Sequence, residues 1–179
     1  MLAQTVLEDE PQSYDEAMAS RHRDEWLHSM KSEYNSLINN NVWTLVDRPK
    51  NRNVIKCKWV YRVKCDSAGN FQKYKARLVA RGFTQKYGID YTDTFSPVVR
   101  HSTMRLLFSL ANEYDLNIDH IDVDTAFLNG ELNETIYMEQ PEGFHDDKNK
   151  DKVCLLQRSI YGLKQASRMW YCKVHDLLT

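Results

Sequence analysis

The chain has 179 residues, of which 42% are apolar and 27% charged, so it is long enough to bury a core and has the composition of one folded soluble domain. No apolar run reaches the roughly 18 to 20 residues of a membrane span, and the first residues resemble no signal peptide, which argues against membrane and secreted proteins. The 4 cysteines form no CxxC pair, which argues against a zinc knuckle. The net charge of -1 alone does not predict a polyanion partner.

The charge is distributed unevenly along the chain. Residues 54–86 contain nine basic side chains and one acid, Asp66, whereas acids are concentrated at the start and between Asp115 and Asp151. A basic region beside an acidic one predicts a polyanion on one side and metal chemistry on the other. A solvated, charged hairpin explains the basic residues about equally well.

Two helices are predicted first. Ser13 and Glu16 have the spacing of a capping box, so a short helix should begin there. Apolar residues then recur at helical spacing between Arg23 and Asn39, which predicts an amphipathic helix. A short β-prone segment follows at residues 42–46.

A β-hairpin is predicted next, from residues 54–64 and 71–80 around a turn that contains Asp66 and Gly69. Alternation along both strands places cationic side chains in two rows. Its aromatic residues could stack on nucleic-acid bases, but core packing is the more common role of such alternate positions. Residues 82–97 are predicted to form an aromatic loop.

In the second half, Ser102 is predicted to cap a core helix that runs to about Tyr114. Residues 117–123 alternate like a strand with one buried face, and a short turn at residues 126–128 ends at Asn129 and Gly130. Strands are predicted at residues 135–138 and 153–156. A last amphipathic helix begins at about Leu163 and reaches the end of the sequence without a stop signal, so we expect a truncated chain.

Asp122 is the best local candidate for metal chemistry. A carboxylate at the end of a strand can bind Mg²⁺, and the amides of the turn that follows can meet phosphate oxygens. A lone strand aspartate is more commonly structural or solvated, so both interpretations stay open. The six histidines form no zinc-ligand pair, and the GxSxG and P-loop motifs are absent from the sequence.

Four segments, in family order, resemble the reverse transcriptase domain of copia-type (pseudoviral) LTR retrotransposons. They are KWVYRVK at 58–64, YKARLVARGFTQ at 74–85, IDVDTAFLNG at 121–130 and YGLKQA at 161–166. The segments GIDYTDTFSP at 88–97 and YMEQPEGF at 137–144 also fit. The resemblance covers about residues 14–179.

The resemblance implies an α+β right-hand polymerase fold in which fingers and a partial palm combine an antiparallel sheet with packed helices. Residues 1–12 are expected to be a flexible leader, residues 13–100 the N-terminal helices and the fingers with their basic hairpin at 54–80, and residues 101–179 the partial palm. The family's Tyr-x-Asp-Asp motif does not occur in the sequence. We therefore expect this chain alone not to polymerise.

The resemblance also implies roles for particular residues. Asp122 matches the catalytic aspartate and Mg²⁺ ligand, and the Val123 carbonyl is expected to be a second ligand of the family's two Mg²⁺ ions. Phe127 matches the residue that crowds a ribose 2′ hydroxyl. The expected nucleotide-binding residues are Lys75, Arg77, Thr125, Ala126, Phe127, Gly162, Lys164 and Gln165. The expected nucleic-acid-binding residues are Lys56, Lys58, Arg62, Lys64, Lys73 and Arg81.

The function implied is that of a fragment of an RNA-directed DNA polymerase, cut from a Gag-Pol polyprotein. Its implied partners are an RNA or DNA template-primer, a dNTP and the remainder of the polyprotein, with no membrane. The implied context is retrotransposition with DNA integration, in a cytoplasmic retroelement particle or in the nucleus. The alternatives are a non-enzymatic nucleic-acid-binding module and an inactive retroelement remnant.

Overall fold

The computed structural model describes residues 10–146 and 148–179. Of the predicted leader, residues 1–9 therefore lie outside the described residues. The α-helices within these residues are α1 (Tyr14–Ala19), α2 (Arg23–Asn39), α3 (His101–Glu113) and α4 (Ala166–Leu178). The described strands are β1 (Trp43–Val46), β2 (Val54–Ile55), β3 (Cys57–Cys65), β4 (Phe71–Ala80), β5 (Glu131–Met138) and β6 (Val153–Arg158).

The first two helices confirm their predictions. The Ser13 hydroxyl accepts the Glu16 amide at 3.1 Å, and the Glu16 carboxylate accepts the Gln12 amide at 2.8 Å, so side chains satisfy backbone donors that the first turn leaves free. Helix α2 has the predicted bounds. Trp26 and Met30 on its apolar face are fully buried.

The strands form two sheets. One has the order β1-β6-β5-β2, and the other is the β3-β4 hairpin. The hairpin is confirmed, but Val54 and Ile55 belong to the first sheet, where they pair in parallel with Tyr137 and Met138 of β5. Ile55 is buried, and its carbonyl accepts the Glu139 amide at 2.9 Å, so its core contacts hold the chain in the first sheet before it enters the hairpin.

The core joins α2 to the apolar face of the hairpin through aromatic side chains. The indole ring of Trp26 meets the rings of Tyr61 and Tyr74 edge-on, at centroid distances of 5.2 and 4.6 Å. Trp59 and Phe144 extend this cluster, with ring centroids 5.4 Å apart. Edge-to-face pairs add about 0.5–1.5 kcal/mol each beyond the burial of their area. One face of the hairpin is thereby fixed in the core, and the opposite face remains exposed.

The segment from α3 to residue 123 differs from its prediction. Helix α3 begins at His101, one residue before the predicted cap Ser102, and it is not a core helix, because only Ala111 is buried while Phe108 is 54% exposed. Residues 117–123 form no strand in the described part of the chain. Their alternation indicates an apolar face, but a strand also needs a hydrogen-bonded neighbour, and no described strand pairs with this segment.

The remaining elements lie where they were predicted, although β5 begins at Glu131 rather than Thr135 and α4 begins at Ala166 rather than at about Leu163. Ala126–Asn129 form one 3₁₀ turn ahead of Gly130, and β5 and β6 pair in antiparallel fashion. Gly130 packs against α4, where an added Cβ would lie 2.8 Å from the Met169 Cβ. This close approach places the 125–130 turn on the N-terminal half of α4. The overall arrangement of mainly antiparallel sheets with packed helices confirms the predicted mixture of helices and strands.

Candidate nucleotide and nucleic-acid site

The exposed face of the hairpin carries a concentrated positive charge. In the antiparallel register, Lys58 lies opposite Val79, Val60 opposite Arg77, Arg62 opposite Lys75, and Lys64 opposite Lys73. Alternate residues of a strand share a face, so six cations cover one side of the hairpin around two valines. We call this surface the cationic face; its charged members are Lys58, Arg62, Lys64, Lys73, Lys75 and Arg77. Lys56 and Arg81 lie just beyond the ends of the strands and are exposed.

The cationic face contains like-charge pairs that the hairpin itself does not require. Arg62 opposite Lys75 and Lys64 opposite Lys73 place equal charges on directly facing residues, which destabilises a sheet. Burial, with Arg77 and other cations nearby, lowers the pKa of Lys75. A surface with this charge pattern is suited to an anion, which would relieve the repulsion.

Two carboxylates offset part of this charge from the edges of the hairpin. Glu10 forms an ion pair with Arg62, and its carboxylate also accepts the Val63 amide at 2.9 Å. Glu33 on α2 accepts the Leu78 amide at 3.4 Å. Burial raises the pKa of Glu33, although that amide and the neighbouring cations act in the opposite direction. The two acids satisfy backbone amides at the strand edges, so much of the cationic face stays open.

The turn predicted to meet a triphosphate lies near the predicted phosphate-binding lysine. Thr125, Lys73 and Lys75 line one cavity of about 400 Å³ between α2 and β4. Thr125 has a φ of 53°, in the left-handed region, and the 3₁₀ turn follows it directly. Such changes of backbone conformation can point successive amides toward an anion. The fold therefore brings together residues that are 50 positions apart in sequence.

Tyr161 connects two further predicted nucleotide-binding residues, although sequence reasoning did not select it. The Arg77 guanidinium lies over its ring, 5.2 Å from the centroid, and the Phe127 ring meets it edge-on at 5.1 Å. Tyr161 thus fixes an arginine from the hairpin and an aromatic ring from the 125–129 turn beside each other. The signal that could have found it was its place at the start of the YGLKQA segment.

The loop around Gly162 is packed against the end of the hairpin. Gly162 has a φ of +88°, and an added Cβ would lie 2.2 Å from the Ala80 carbonyl oxygen. The Ala80 amide donates to the Tyr161 carbonyl at 2.8 Å. Gly82 approaches the same loop, since its Cβ would lie 2.0 Å from the Gly162 carbonyl oxygen. Close backbone packing at two glycines therefore sets the position of this loop.

Lys164 and Gln165 hold neighbouring loops together in the structure. The Lys164 ammonium donates to the Tyr91 hydroxyl at 3.2 Å and lies over the Tyr91 ring. The Gln165 side chain is fully buried and donates to the Asp90 carbonyl at 2.9 Å. Gly162 and Lys164 are exposed beside the cationic face, whereas Gln165 lies beneath the surface.

Gln85 is a positioning residue that the sequence did not reveal. Its side-chain oxygen accepts the Lys164 amide at 2.9 Å, and its side-chain nitrogen donates to the Gln165 oxygen at 3.0 Å. The Asp90 carboxylate, nearly buried itself, accepts the Asn53 side chain and the Lys86 amide at 2.8 Å each. This network joins residues about 80 positions apart, so local periodicity contains no signal for it.

Asp122 lies exposed at the end of the irregular segment, three residues before Thr125. Within residues 10–146 and 148–179, no cluster of three or more His, Cys, Asp or Glu side chains could hold a metal ion. Its exposed carboxylate and the adjacent Val123 carbonyl are hard oxygen donors. Mg²⁺ is commonly held by one or two carboxylates together with substrate phosphates, so this donor set fits an ion shared with a bound triphosphate.

Comparison with known proteins supports a polymerase relationship. The profile of the family described as reverse transcriptase (RNA-dependent DNA polymerase) matches residues 40–179. The chain belongs to this family. It is 47% identical over 169 residues to the retrovirus-related Pol polyprotein from transposon TNT 1-94 of Nicotiana tabacum, a match that covers 94% of this chain and 13% of the relative.

Two further relatives come from Arabidopsis thaliana. The Pol polyproteins from transposons RE2 and RE1 are 41% and 39% identical, over 94% and 96% of this chain and 12% of each relative. The chain thus corresponds to part of the reverse transcriptase region of copia-type Pol polyproteins, and it spans about an eighth of the length of these relatives. No solved structure gives a significant match. Among the described helices, none has the length and apolar character to cross a membrane.

Proposed function

We propose that the chain forms the fingers and part of the palm of a right-hand RNA-directed DNA polymerase. There it contributes to the transfer of a nucleotide from a dNTP to a primer 3′ hydroxyl on an RNA or DNA template. The observation that carries the proposal is the position of Thr125 in one cavity with Lys73 and Lys75, next to Arg77 and Phe127 on either side of Tyr161. Cationic, backbone and aromatic groups of the predicted nucleotide site thereby come from distant parts of the chain to one region.

The residues of this region have distinct roles in the proposal. Lys75 and Arg77 bind the β and γ phosphates, and the amides of Thr125 and Ala126 meet the triphosphate from the opposite side. Phe127, held edge-on by Tyr161, crowds a ribose 2′ hydroxyl and selects deoxynucleotides. Gly162 and Lys164 border the base and the template, and Gln165 positions their loop from below. Since phosphoryl transfer depends mainly on positioning and electrostatic stabilisation, rigid placement of these groups is their contribution to rate.

Asp122 and the Val123 carbonyl would hold Mg²⁺ in the proposed site. When bound, the family's two Mg²⁺ ions supply activation of the attacking hydroxyl and stabilisation of the leaving pyrophosphate. The Asp122 carboxylate is exposed and follows an irregular segment, so it is accessible to a substrate that carries its own phosphate oxygens. The remaining cations bind the backbone of the template-primer in this proposal: Lys56, Lys58, Arg62, Lys64, Lys73 and Arg81.

The exposed apolar side of α3 is proposed to contact the remainder of a Pol polyprotein. Leu106, Leu107 and Phe108 on this helix are each more than half exposed, which is a large apolar surface for a folded protein. The relatives are far longer than this chain, so a Pol polyprotein of that length supplies further residues to cover this helix. We place this function in a retroelement particle in the cytoplasm, or in the nucleus in connection with DNA integration.

Primer extension tests the proposed function. The chain would replace the matching segment of the tobacco TNT 1-94 Pol polyprotein, and Mg²⁺-dependent extension of a DNA primer on an RNA template would be measured. The chimera should extend the primer, and Asp122→Asn should reduce the rate by at least about a hundredfold, because metal-ion stabilisation supplies several kcal/mol. Asp115→Asn provides a matched charge control outside the proposed site. An Asp122→Asn chimera as active as the control would contradict the assignment.

The sequence raised two alternatives, a nucleic-acid-binding module and an inactive remnant. The family comparison supports neither of them better than the enzyme fragment. A well-folded chimera that binds template-primer without extending it would favour the binding module. Circular dichroism and thermal unfolding would first establish that the chimera is folded. An unfolded chimera that neither binds nor extends would favour the remnant.

A further inference from the structure

Helix α2 contributes a row of hydroxyl groups to the cavity beside the cationic face. Ser29, Ser32 and Ser36 are spaced three and four residues apart, which places them on one side of a helix, and all three line the cavity of about 400 Å³. At 1.5 Å per residue the row is roughly 10 Å long. No part of the reverse transcriptase resemblance assigned a role to these serines or to this helix.

The hydroxyl row shares its cavity with two amines. Lys73 and Lys75 line the cavity from β4, together with Tyr74 and Ala76 of the same strand, and His28 lines it from α2. The Ser29 oxygen accepts the Ala76 amide at 2.6 Å, which leaves its own proton available for donation into the cavity. Hydroxyl donors opposite ammonium groups form a suitable arrangement for a phosphate, which accepts hydrogen bonds through several oxygens.

One acid also lines this cavity, and its contacts turn its charge toward the sheet. Glu33 accepts the Leu78 amide on the outer edge of β4, and its neighbouring charges are those of Lys75 and Arg77. Glu33 therefore satisfies a backbone amide at the edge of β4. The other acids near the groove, Asp24 and Glu25, line the adjoining apolar cavity near the hairpin turn.

We propose that the groove between α2 and β4 is a phosphate-binding site, in which the hydroxyls of Ser29, Ser32 and Ser36 and the ammonium groups of Lys73 and Lys75 hold a phosphate. The site deepens the proposed polymerase function and rests on it, because the phosphate would belong either to the backbone of a nucleic-acid strand or to a nucleotide. Thr125, which also lines the groove, connects it with the proposed nucleotide site.

A charge placed in the groove tests the proposal. Ser32 is exposed, so Ser32→Asp should fold normally while it adds a negative charge opposite the two lysines. Binding of the full chain to a fluorescein-labelled RNA–DNA primer-template would be measured by anisotropy, and binding to a fluorescent dATP analogue in a parallel arm. Ser102→Asp is the matched control, because it makes the same charge change on an exposed residue outside the groove. Ser102 lies in the first turn of α3, where a carboxylate stabilises the helix.

The expected result is a loss of affinity of about tenfold or more for Ser32→Asp and a change of less than about twofold for Ser102→Asp, since nearby charges in a partly enclosed site are weakly screened. A loss confined to the primer-template arm assigns the groove to a strand backbone, and a loss confined to the nucleotide arm assigns it to a triphosphate. Equal affinities of the two variants in both arms would overturn the proposal that the groove binds phosphate, while leaving the proposed function intact. Absence of all binding by the unsubstituted chain would overturn both.

Chemical protection provides a second measurement that needs no substitution. Acetylation of lysines would be followed by mass spectrometry with and without primer-template. Lys73 and Lys75 should be protected several-fold in the complex, whereas Lys31, exposed on α2 outside the groove, should react equally in both states. Equal reactivity of Lys75 with and without primer-template would contradict the proposal.

Discussion

Replacing Gly162 by alanine should separate the hairpin from the loop that borders the proposed nucleotide site. The residue has a φ of +88°, and its new Cβ would lie 2.2 Å from the Ala80 carbonyl oxygen and 2.6 Å from a Val79 methyl carbon. A left-handed alanine costs about 1–2 kcal/mol, and overpacking costs about 1–3 kcal/mol. The total of about 2–5 kcal/mol should lower the Tm by on the order of 10 °C, at about 2–4 °C per kcal/mol for a chain of this size.

Two other glycines separate the contributions to that loss. Gly69 has a φ of +83°, and an added Cβ would meet no atom within 4 Å, so its replacement by alanine should show the backbone cost alone. Gly82, whose Cβ would lie 2.0 Å from the Gly162 carbonyl oxygen, should show the packing cost alone. Differential scanning calorimetry of the three variants measures each contribution. If Gly162→Ala melted within about 2 °C of Gly69→Ala, the close packing of this loop on β4 would be refuted.

Three further predictions concern buried groups. Cys65 is exposed and should react with a thiol reagent well before Cys57, because burial raises the pKa of the Cys57 thiol to about 12; equal rates in a thiol titration at pH 8 would contradict this. Burial raises the pKa of Glu33 in the folded chain, so the protonated carboxyl group stabilises the folded state. That stabilisation is fully present below the ordinary pKa of a glutamate and is lost as the pH rises through the raised pKa. The Tm of Glu33→Gln relative to the unsubstituted chain should therefore be higher at pH 7 than at pH 4, and an unchanged difference would show that Glu33 ionises freely. Gln85→Ala removes three side-chain hydrogen bonds and leaves the side-chain oxygen of the buried Gln165 without its Gln85 donor, so it should cost about 2–4 kcal/mol in denaturant unfolding, and a loss below about 0.5 kcal/mol would exclude a positioning role.

The sequence predicted the hairpin and α2 well because their signals are local. Alternation along residues 57–65 and the Asp66–Gly69 turn define strand pairing between near neighbours, and the residues of α2 that repeat at helical spacing contain their own apolar face. Helix α3 has an equally clear apolar face, yet most of that face is exposed. Periodicity shows that a face is apolar and does not show which element covers it.

The site was only partly predictable for a related reason. Lys75 and Thr125 were selected through motifs, but their common cavity depends on the packing of distant segments. The serines of α2 belong to no motif, and the hydrogen bond between Gln85 and Gln165 joins residues about 80 positions apart. Hydrogen bonds of that range are decided by the tertiary fold and leave no periodic trace in the sequence.

The salt dependence of template-primer binding tests the central claim that the cationic face binds nucleic acid. Anisotropy titrations between 50 and 300 mM salt would compare the unsubstituted chain with the Lys58→Ala, Lys64→Ala, Lys73→Ala triple variant, which removes three cations of the face that are assigned to the template-primer backbone. Each phosphate neutralised contributes about 0.9 to the slope of log K against log salt, so the variant should lose up to about 2.7 from that slope. A control variant carries alanine at three exposed lysines outside the cationic face: Lys31, Lys50 and Lys148.

We expect the control to keep the slope of the unsubstituted chain within about 0.5, while the triple variant binds more weakly and with a clearly flatter slope. Thermal unfolding of both variants would confirm that each is folded at the temperature of the titration. Equal slopes for the triple variant and the control would contradict the central claim, because the cationic face would then not be the surface that contacts the phosphates.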